Sequence, residues 1–101
     1  MKNTSVKNAT VRIPTPLRSF TSGADEVGAS GATVRDCLRD LSARHEGIAP
    51  HLFDADGEIR RFVNVFVGSR DVRALSGLET EVADGDVLSI VPAVAGGRGP
   101  R

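Results

Sequence analysis

The stretch Ala83-Asp84-Gly85-Asp86-Val87-Leu88-Ser89-Ile90-Val91-Pro92-Ala93-Val94-Ala95-Gly96-Gly97 decides the fold, because it joins a turn, a strand and a glycine pair. The Asp-Gly-Asp run predicts a tight turn, and the apolar residues 87–94 predict a strand. Two successive glycines lack Cβ atoms and form a thin thread that fits a narrow channel. A strand that runs straight into Gly96 and Gly97 indicates a reactive carboxyl end, although the glycines can also simply begin a frayed terminus.

Four further segments of the chain predict strands. They are residues 9–13, a weaker segment at 25–29, the strongest segment at 62–67 and a short one at 72–73. Pro14 and Pro16 end the first strand, because proline has no N–H to donate to a neighbouring strand. In the loop after residue 73, two leucines are expected to reach the core: Leu75 and Leu78.

One amphipathic helix is predicted over residues 33–46. Thr33 is a suitable N-cap, and Asp36 three residues later gives the spacing of a capping box. The apolar residues recur at helical spacing and form one stripe: Val34, Cys37, Leu38 and Leu41. Gly47 is a natural end for this helix, and residues 50–53 predict a further short helical turn. The apolar stripe must pack on a sheet.

The order of these elements predicts an α+β domain of the β-grasp (ubiquitin-like) type. In this fold a mixed sheet of four to five strands curls around one main helix, and the final strand lies centrally. With 101 residues, the chain has room for one hydrophobic core. We therefore expect a flexible N-terminus at residues 1–8, a β-grasp domain at 9–95 and a flexible tail at 96–101.

The composition argues against several classes of function. Thirteen basic and thirteen acidic side chains cancel, so no bulk field favours nucleic acid or an anionic membrane. No apolar run approaches the roughly 20 residues that cross a bilayer, and residues 1–8 lack the apolar core of a signal peptide. A single cysteine forms no internal disulfide, which fits the reducing cytoplasm. We expect a cytoplasmic protein without nucleic-acid or membrane partners.

No side-chain pattern in the sequence predicts catalysis or metal binding. Cys37 lies on the apolar helix stripe, where a thiol acts as a small hydrophobic group rather than a nucleophile. His45 and His51 have no neighbouring cysteine or carboxylate pattern of a metal site. Residues 54–58 resemble a calcium loop, but the glycine comes fourth instead of sixth, which favours a plain turn. We expect neither a catalytic residue nor a bound metal.

The strand at 62–67 leaves two alternatives for its two faces. Three valines lie on one side, and Phe62, Asn64 and Phe66 lie on the other. If the valines face the helix, both phenylalanines are exposed and form a surface for a partner protein. If the phenylalanines face the helix, they are core. We favour the first alternative and expect the partner-binding residues to be Phe62, Phe66, Val91 and Pro92.

Five stretches carry a resemblance to a known family: Val11-Arg12-Ile13-Pro14, Thr33-Val34, Phe62-Val63-Asn64-Val65, Ala83-Asp84-Gly85-Asp86 and Val91-Pro92-Ala93-Val94-Ala95-Gly96-Gly97. Over about residues 9–97 the chain resembles the ubiquitin-like sulfur carriers. This family includes the small subunit of molybdopterin synthase and the thiamine-pathway carrier. Residues 61–64 and 92–97 are most similar to the subgroup that carries sulfur to cysteine and related metabolites.

The resemblance implies a chemistry centred on the Gly97 carboxylate. An ATP-dependent activating enzyme of the ubiquitin-E1-like type would adenylate it, and a sulfur nucleophile would then displace the adenylate to give a thiocarboxylate. Gly96 and Ala95 would thread the tail into that enzyme. The carrier would bind no cofactor itself, would be a monomer when free, and would bring sulfur to an acceptor synthase. It would be a protein co-substrate, not an enzyme.

The sequence departs from the family pattern after the glycine pair. Most members end at Gly-Gly, whereas this chain continues with Arg98-Gly99-Pro100-Arg101. While the bond between Gly97 and Arg98 persists, Gly97 has no free carboxylate. Either a protease removes the extension, or the chain is an unprocessed precursor, or the extension is a cloning remnant. A zinc-dependent JAMM-type peptidase is the family's usual solution for such extensions.

Two rival functions stand beside the sulfur carrier. The first is the small subunit of molybdopterin synthase, which uses the same chemistry but is docked permanently into a larger catalytic subunit. The second is a β-grasp binding module or protein modifier, whose glycine pair forms isopeptide bonds with lysines.

Overall fold

Five strands and one long helix form the described part of the chain, which is residues 7–92 of the computed structural model. The strands are β1 (Lys7–Arg12), β2 (Glu26–Gly31), β3 (Val63–Val67), β4 (Arg70–Asp71) and β5 (Val87–Pro92). The α-helices are α1 (Val34–Arg44) and the short α2 (Ala49–Leu52), and three 3₁₀ helices cover Thr15–Thr21, Val72–Ala74 and Gly77–Glu79. No helix in residues 7–92 is long and apolar enough to cross a membrane.

The last strand lies in the centre of the sheet, as predicted. The strand order is β2-β1-β5-β3-β4, and β5 runs parallel to β1 and antiparallel to β3. Leu88 on β5 is therefore paired with Val11 on one side and with Val67 on the other. This mixed sheet with one main helix confirms the β-grasp fold.

The helix α1 packs its apolar stripe on one face of the sheet. Thr33 begins the helix as predicted, because its Oγ1 accepts a hydrogen bond from the N–H of Asp36 at 3.3 Å. All four stripe residues are fully buried, and the core residues of the central strands are buried with them: Val11, Val65, Leu88 and Ile90. Burial of one such side chain stabilises a fold by about 1.5–3 kcal/mol. This layer therefore holds the helix and the sheet together.

Gly31 allows α1 to approach β2 closely. A Cβ atom at this position would lie 2.5 Å from the Cβ of Asp36 and 2.7 Å from the backbone nitrogen of Cys37. Non-bonded atoms do not approach this closely, and the backbone of a helix cannot move aside as a flexible side chain can. The first turn of α1 therefore depends on glycine at position 31.

Side chains of α1 cover the free edge of β2. Asp40 Oδ2 accepts a hydrogen bond from the N–H of Ser30 at 2.9 Å, and Arg44 donates to the carbonyl of Gly28. The two side chains also form an ion pair, with 2.8 Å between Arg44 Nη2 and Asp40 Oδ2. An uncovered edge strand is a template for pairing with another chain. Here one donor and one acceptor of that edge are already bonded.

Two expectations for the segment after β3 are wrong. The short strand is Arg70–Asp71 instead of residues 72–73, because Asp71 Oδ1 accepts a hydrogen bond from the N–H of Arg73 at 2.8 Å and starts a 3₁₀ helix. Leu75 is 37 % exposed, because it is the C-cap of that helix. Leu78, on the next 3₁₀ helix, is buried as predicted.

Other differences concern the bounds of elements. The first strand begins at Lys7 instead of residue 9, and the N–H of Asn8 donates to Asp84 Oδ1 at 2.9 Å. A 3₁₀ helix covers Thr15–Thr21, where only a loop was expected, because a proline is tolerated in a first helical turn that needs no N–H donor. Positions 1–6 of the predicted N-terminus, positions 93 and 94 of the predicted last strand and the tail 96–101 lie outside the described residues.

Replacement of Gly31 by Ala is expected to lower the free energy of unfolding by about 2–3 kcal/mol, the upper part of the range for an overpacked core contact. Gly28→Ala is the matched control, because it lies on the same strand and a Cβ there meets no atom within 4 Å. We expect that control to change stability by less than about 1 kcal/mol. Urea unfolding measures both variants. Equal destabilisation would contradict the close approach of α1 at Gly31.

Candidate functional site

The sheet face opposite α1 carries exposed apolar side chains. On β3 the valines face the helix, with Val63 and Val65 only 8 % and 1 % exposed. Phe62 is 53 % exposed and Val91 is 43 % exposed. The structure therefore has the arrangement of the first alternative, in which the valines are core. The partner-binding role of the exposed residues stays a prediction.

Phe66 is less exposed than that alternative expected. Its side chain is half-buried, because it lies inside the sheet and is paired with Ser89 on β5 and Asp71 on β4. Phe62 precedes β3 and has no such neighbours in the strand register. Of the two phenylalanines, Phe62 therefore offers the larger apolar contact surface.

Phe62 lies on a turn that backbone hydrogen bonds hold in place. The N–H of Val63 donates to the carbonyl of Arg60 at 3.0 Å, which closes the turn. The N–H of Arg60 donates to the carbonyl of Leu52 at 2.9 Å and ties the turn to α2. An aromatic ring on a fixed backbone loses little conformational freedom on binding. Phe62 is thus well placed for a contact with a partner.

Arg73 braces the same turn. Its guanidinium donates to the carbonyls of Arg60 and Val63 at 3.0 and 2.9 Å and to Asn64 Oδ1 at 2.6 Å. The sequence pattern predicts a strand at Arg73 and no role for its side chain. Its partners lie 9 to 13 residues earlier in the chain, and no periodic pattern marks such a contact.

The pairing of β5 with β1 stops before β5 ends. The register runs from Thr10 opposite Val87 to Arg12 opposite Ser89. Pro14, two positions further, has no N–H to continue the ladder, whereas pairing with β3 continues to Pro92. We call this part of the molecule the outlet end, because the C-terminal tail begins there.

Two cavities lie at the outlet end, one lined by β5 itself and the other lined by Val63, which is paired with Pro92. The cavity on the β1 side has a volume of about 260 Å³, and its lining includes Ser89, Ile90 and Val91. The cavity on the β3 side has a volume of about 350 Å³ and is lined by Asp54, Arg60, Arg61, Phe62 and Val63. Polar and charged groups therefore border the exposed apolar residues on both sides of the last strand.

Cys37 is a buried thiol on α1, as expected. Its Sγ is fully buried and lies 3.8 Å from the carbonyl oxygen of Gly31. Burial raises the pKa of the Cys37 thiol from 9.0 to about 11, with smaller contributions from the negative charges of Asp36, Asp40 and Asp86. Because the thiolate is the nucleophilic form, the protonated and buried thiol is chemically inert.

The folded chain is expected to react with iodoacetamide at pH 8 at least about 100-fold more slowly than the unfolded chain. The reason is that a rise of the Cys37 pKa from 9.0 to about 11 lowers the thiolate fraction about 100-fold, and burial hinders access further. Mass spectrometry of the alkylated chain, with and without guanidinium chloride, measures both rates. Similar rates in the two states would place Cys37 outside the core.

The described residues offer no metal centre. No group of three His, Cys, Asp or Glu side chains among residues 7–92 could hold a metal ion. His45 is the C-cap of α1, and His51 lies on α2 with its ring centroid 4.8 Å from that of Phe20. The Asp54 carboxylate accepts hydrogen bonds from two backbone N–H groups of its own turn, at 2.9 and 3.1 Å. The segment 54–58 is therefore a turn closed by its own side chain.

The predicted reactive tail lies outside the described residues. This applies to Gly97, to the threading residues Gly96 and Ala95, and to the processing bond between Gly97 and Arg98. The structure does describe the point from which the tail starts, at Pro92, and the surface that surrounds it.

Comparison with a family model decides the relationship of this chain. The ThiS family matches residues 11–97, up to the second glycine of the pair. The chain belongs to the ThiS family. The resemblance to the ubiquitin-like sulfur carriers is thereby confirmed, and proteins of this kind are small carriers rather than enzymes.

Individual members of the ThiS family are similar over most of the chain. The sulfur carrier protein CysO of Mycobacterium tuberculosis is 49 % identical over 92 residues, which cover 89 % of this chain and 99 % of that protein. A chain of the BexX/CysO complex from Amycolatopsis orientalis is 50 % identical with a TM-score of 0.82, covering 88 % and 99 % of the two chains. The small archaeal modifier protein 3 of Haloferax volcanii is 47 % identical over 66 residues, 65 % of this chain and 71 % of that protein.

Proposed function

We propose that this member of the ThiS family is a sulfur carrier protein. After removal of residues 98–101, its Gly97 is adenylated and converted to a thiocarboxylate that donates sulfur in the biosynthesis of cysteine or another sulfur-containing metabolite. The observation that carries the proposal is the 49 % identity to a sulfur carrier protein CysO over 92 residues. The family match extends to residue 97, so it includes both glycines of the tail.

The chemistry requires a free carboxylate at Gly97. A carboxylate oxygen attacks the α-phosphorus of ATP, pyrophosphate leaves, and an acyl-adenylate forms. A sulfur nucleophile then adds to the Gly97 carbonyl carbon and AMP leaves, because adenylate is a far better leaving group than oxide. The carrier supplies only the carboxylate and the docking surface. The activating enzyme supplies the ATP site, so no cofactor is assigned to this chain.

The position of β5 limits where a partner can dock. Five residues lead from Pro92 to Gly97, and an extended chain of that length reaches at most about 18 Å. The reactive centre of a partner must therefore lie within that distance of Pro92, and the partner must cover the outlet end. The exposed side chains of Phe62 and Val91 supply apolar contact there, and the half-buried Phe66 extends the surface. Pro92 is also half-buried, but it is paired with the buried Val63 and alternates with Val91, so it lies on the sheet face toward α1.

Three classes of partner follow from the proposed function. They are an activating enzyme of the ubiquitin-E1-like type, a sulfur-acceptor synthase and a JAMM-type metallopeptidase that cuts between Gly97 and Arg98. The solved complex of BexX with CysO supports the expectation that such carriers dock on partner proteins. The reducing cytoplasm is the proposed location, because the chain has a single cysteine and needs no disulfide.

A protein modifier is the second candidate, because the chain is 47 % identical to a small archaeal modifier protein over 66 residues. Such a modifier would join Gly97 to lysine amines of other proteins. Mass spectrometry of the chain purified from its own cells separates the candidates. An oxygen-to-sulfur exchange on a chain that ends at Gly97 supports the carrier, whereas lysines that bear the tail support the modifier. Co-purification with a large catalytic subunit would instead indicate the small subunit of molybdopterin synthase.

The full-length chain is expected to be inert toward the activating enzyme and ATP, whereas a version that ends at Gly97 is expected to release pyrophosphate. The reason is that the amide between Gly97 and Arg98 offers no carboxylate oxygen. Gly97→Ala in the shorter version should slow the reaction, because a methyl group must enter a narrow channel. Pyrophosphate release is measured for the three proteins without protease. Equal turnover of all three would remove the Gly97 carboxylate from the mechanism.

In the version that ends at Gly97, Phe62→Ser should raise the KM for the carrier about tenfold, as expected for an aromatic contact residue. The thermal unfolding midpoint should change little, because the side chain is 53 % exposed. Val87→Ser is the matched control, since Val87 is 38 % exposed and lies at the opposite end of β5 from Pro92. Equal KM values for the two variants would count against docking at Phe62.

Phe66→Asp tests how far the docking surface extends across the sheet. We expect this variant to fold and to bind the activating enzyme more weakly, because the side chain is only partly buried. Circular dichroism and the same KM measurement decide the result. Unfolding of this variant would assign Phe66 to the core, where a carboxylate is costly to bury.

A further inference from the structure

Arginine side chains are concentrated at the outlet end. Two of them line the cavity on the β1 side and two line the cavity on the β3 side, and a fifth donates to the carbonyls of the Phe62 turn. We call these five residues the arginine collar: Arg12, Arg18, Arg60, Arg61 and Arg73. The carboxylates that line the same two cavities are Asp25 and Asp54. Positive charge therefore outweighs negative charge around the start of the tail.

Backbone carbonyls hold most of the collar in place. Arg18 Nε donates to the carbonyl of Ile13 at 3.0 Å, and Arg60 Nη1 donates to the carbonyl of Pro50 at 3.3 Å. Arg73 is held by two carbonyls and one amide oxygen. A carbonyl or amide oxygen carries no net charge, so these contacts fix a guanidinium without neutralising it.

The one ion pair of the collar within the described residues is weak. Arg12 Nε lies 3.8 Å from Glu26 Oε2, and both side chains are more than half exposed. Exposed pairs of this kind contribute between about 0 and 1 kcal/mol. The charge of Arg12 is therefore largely available to a partner.

Two arginines of α1 form ion pairs with carboxylates instead of hydrogen bonds with carbonyls alone. Arg35 Nε lies 2.9 Å from Glu79 Oε2, and its Nη2 lies 3.9 Å from Glu58 Oε2. Arg44 is paired with Asp40 on the same helix. Two arginines of α1 are thus paired with carboxylates, whereas four of the five collar arginines have no ion pair within residues 7–92.

Negative charge lies at the other end of β5. The strand begins directly after Asp84 and Asp86, whose carboxylates accept hydrogen bonds from the N–H groups of Asn8 and Ala83, both at 2.9 Å. The central strand therefore runs from an acidic turn to the arginine collar. The formal net charge of the chain is zero, so the excess positive charge of the collar is balanced by carboxylates elsewhere in the chain, including those of this turn.

We infer that the arginine collar docks the carrier on a rim of aspartate and glutamate side chains around the channel that receives the tail in the activating enzyme. This inference rests on the proposed function and names the chemistry of the partner surface. Guanidinium groups bind carboxylates with two parallel hydrogen bonds. The charge separation along β5 orients the approaching carrier with the outlet end first, which raises the association rate.

A protein channel fits the collar better than a lipid or nucleic-acid surface. The collar surrounds the start of the tail, so whatever binds the collar must also accommodate the five residues from Pro92 to Gly97. A channel bordered by carboxylates accepts both features. An anionic bilayer or a duplex offers the charge without a place for the tail.

Charge reversal at Arg61 tests the inference, with Arg39→Glu as the matched control. Arg61 is exposed and its side chain has no hydrogen bond or ion pair within residues 7–92, so its replacement removes no polar contact among those residues. Arg39 is also exposed, but it lines a different cavity on the helix side. Both variants change the net charge equally and differ only in position.

Binding of each variant that ends at Gly97 to the activating enzyme of the same organism is measured by calorimetry without ATP. At low salt we expect Arg61→Glu to raise Kd about tenfold or more and Arg39→Glu to change it less than about twofold. Added sodium chloride should weaken the binding of the unsubstituted chain to the enzyme, because exposed charges are screened. It should also reduce the difference in Kd between Arg61→Glu and the unsubstituted chain. Equal effects of the two variants, no effect of either, or a Kd independent of salt would each overturn the inference.

Two further measurements separate this inference from its alternatives. Pyrophosphate release upon addition of ATP tests the proposed function alone. If Arg61→Glu weakens binding but no pyrophosphate is released from the unsubstituted chain, the carrier chemistry is refuted and the docking surface is still supported. Sedimentation with phosphatidylserine vesicles tests a lipid role. If Arg61→Glu weakens binding to these vesicles but leaves binding to the enzyme unchanged, the assignment of a protein partner is overturned.

Discussion

The structure depends on the pairing of β5 with two neighbours that run in opposite directions. Parallel pairing with β1 requires a connection that crosses over the sheet, and α1 belongs to that connection. The central position buries Leu88 and Ile90 against the apolar stripe of the helix. The same position brings the start of the tail out between two cavities, beside Phe62 on its fixed turn. The core, the connection and the proposed docking surface therefore all depend on the central position of β5.

The sequence predicted the parts of the fold that depend on local periodicity. The stripe on α1 and the Thr33 cap follow from spacing along the chain, and the structure agrees. Spacing also placed the valines of β3 on one face and the phenylalanines on the other, but it left open which face is inward. Contacts between a side chain and a distant backbone group left no such signal. Arg73 on the Phe62 turn is the main example, because its role depends on carbonyls that only the folded chain brings together. Leu75 was misplaced for a related reason, since apolar character alone does not determine which leucine of a loop reaches the core.

Residue types predict the chemistry of the tail, which lies outside the described residues, but they do not predict the charge distribution around the start of the tail. A terminal glycine pair after a strand indicates a reactive carboxyl end from residue types alone. The arginines look unremarkable in a chain with no net charge. Only the folded structure separates arginines that contact carboxylates from those that contact carbonyls. The Cys37 thiol is protonated and buried, so it would not compete with the sulfur chemistry proposed for the tail.

The central position of β5 also has a mechanical consequence. An enzyme that draws the tail into its channel pulls on β5 along the length of the strand. The ladders to β1 and β3 lie on both sides of β5, so their hydrogen bonds are loaded in shear and share the force. An edge strand peeled from its end would instead lose its bonds one after another. The domain can therefore be held by its tail under tension and keep its shape, and an unfolding motor that grips the same tail would meet the same resistance.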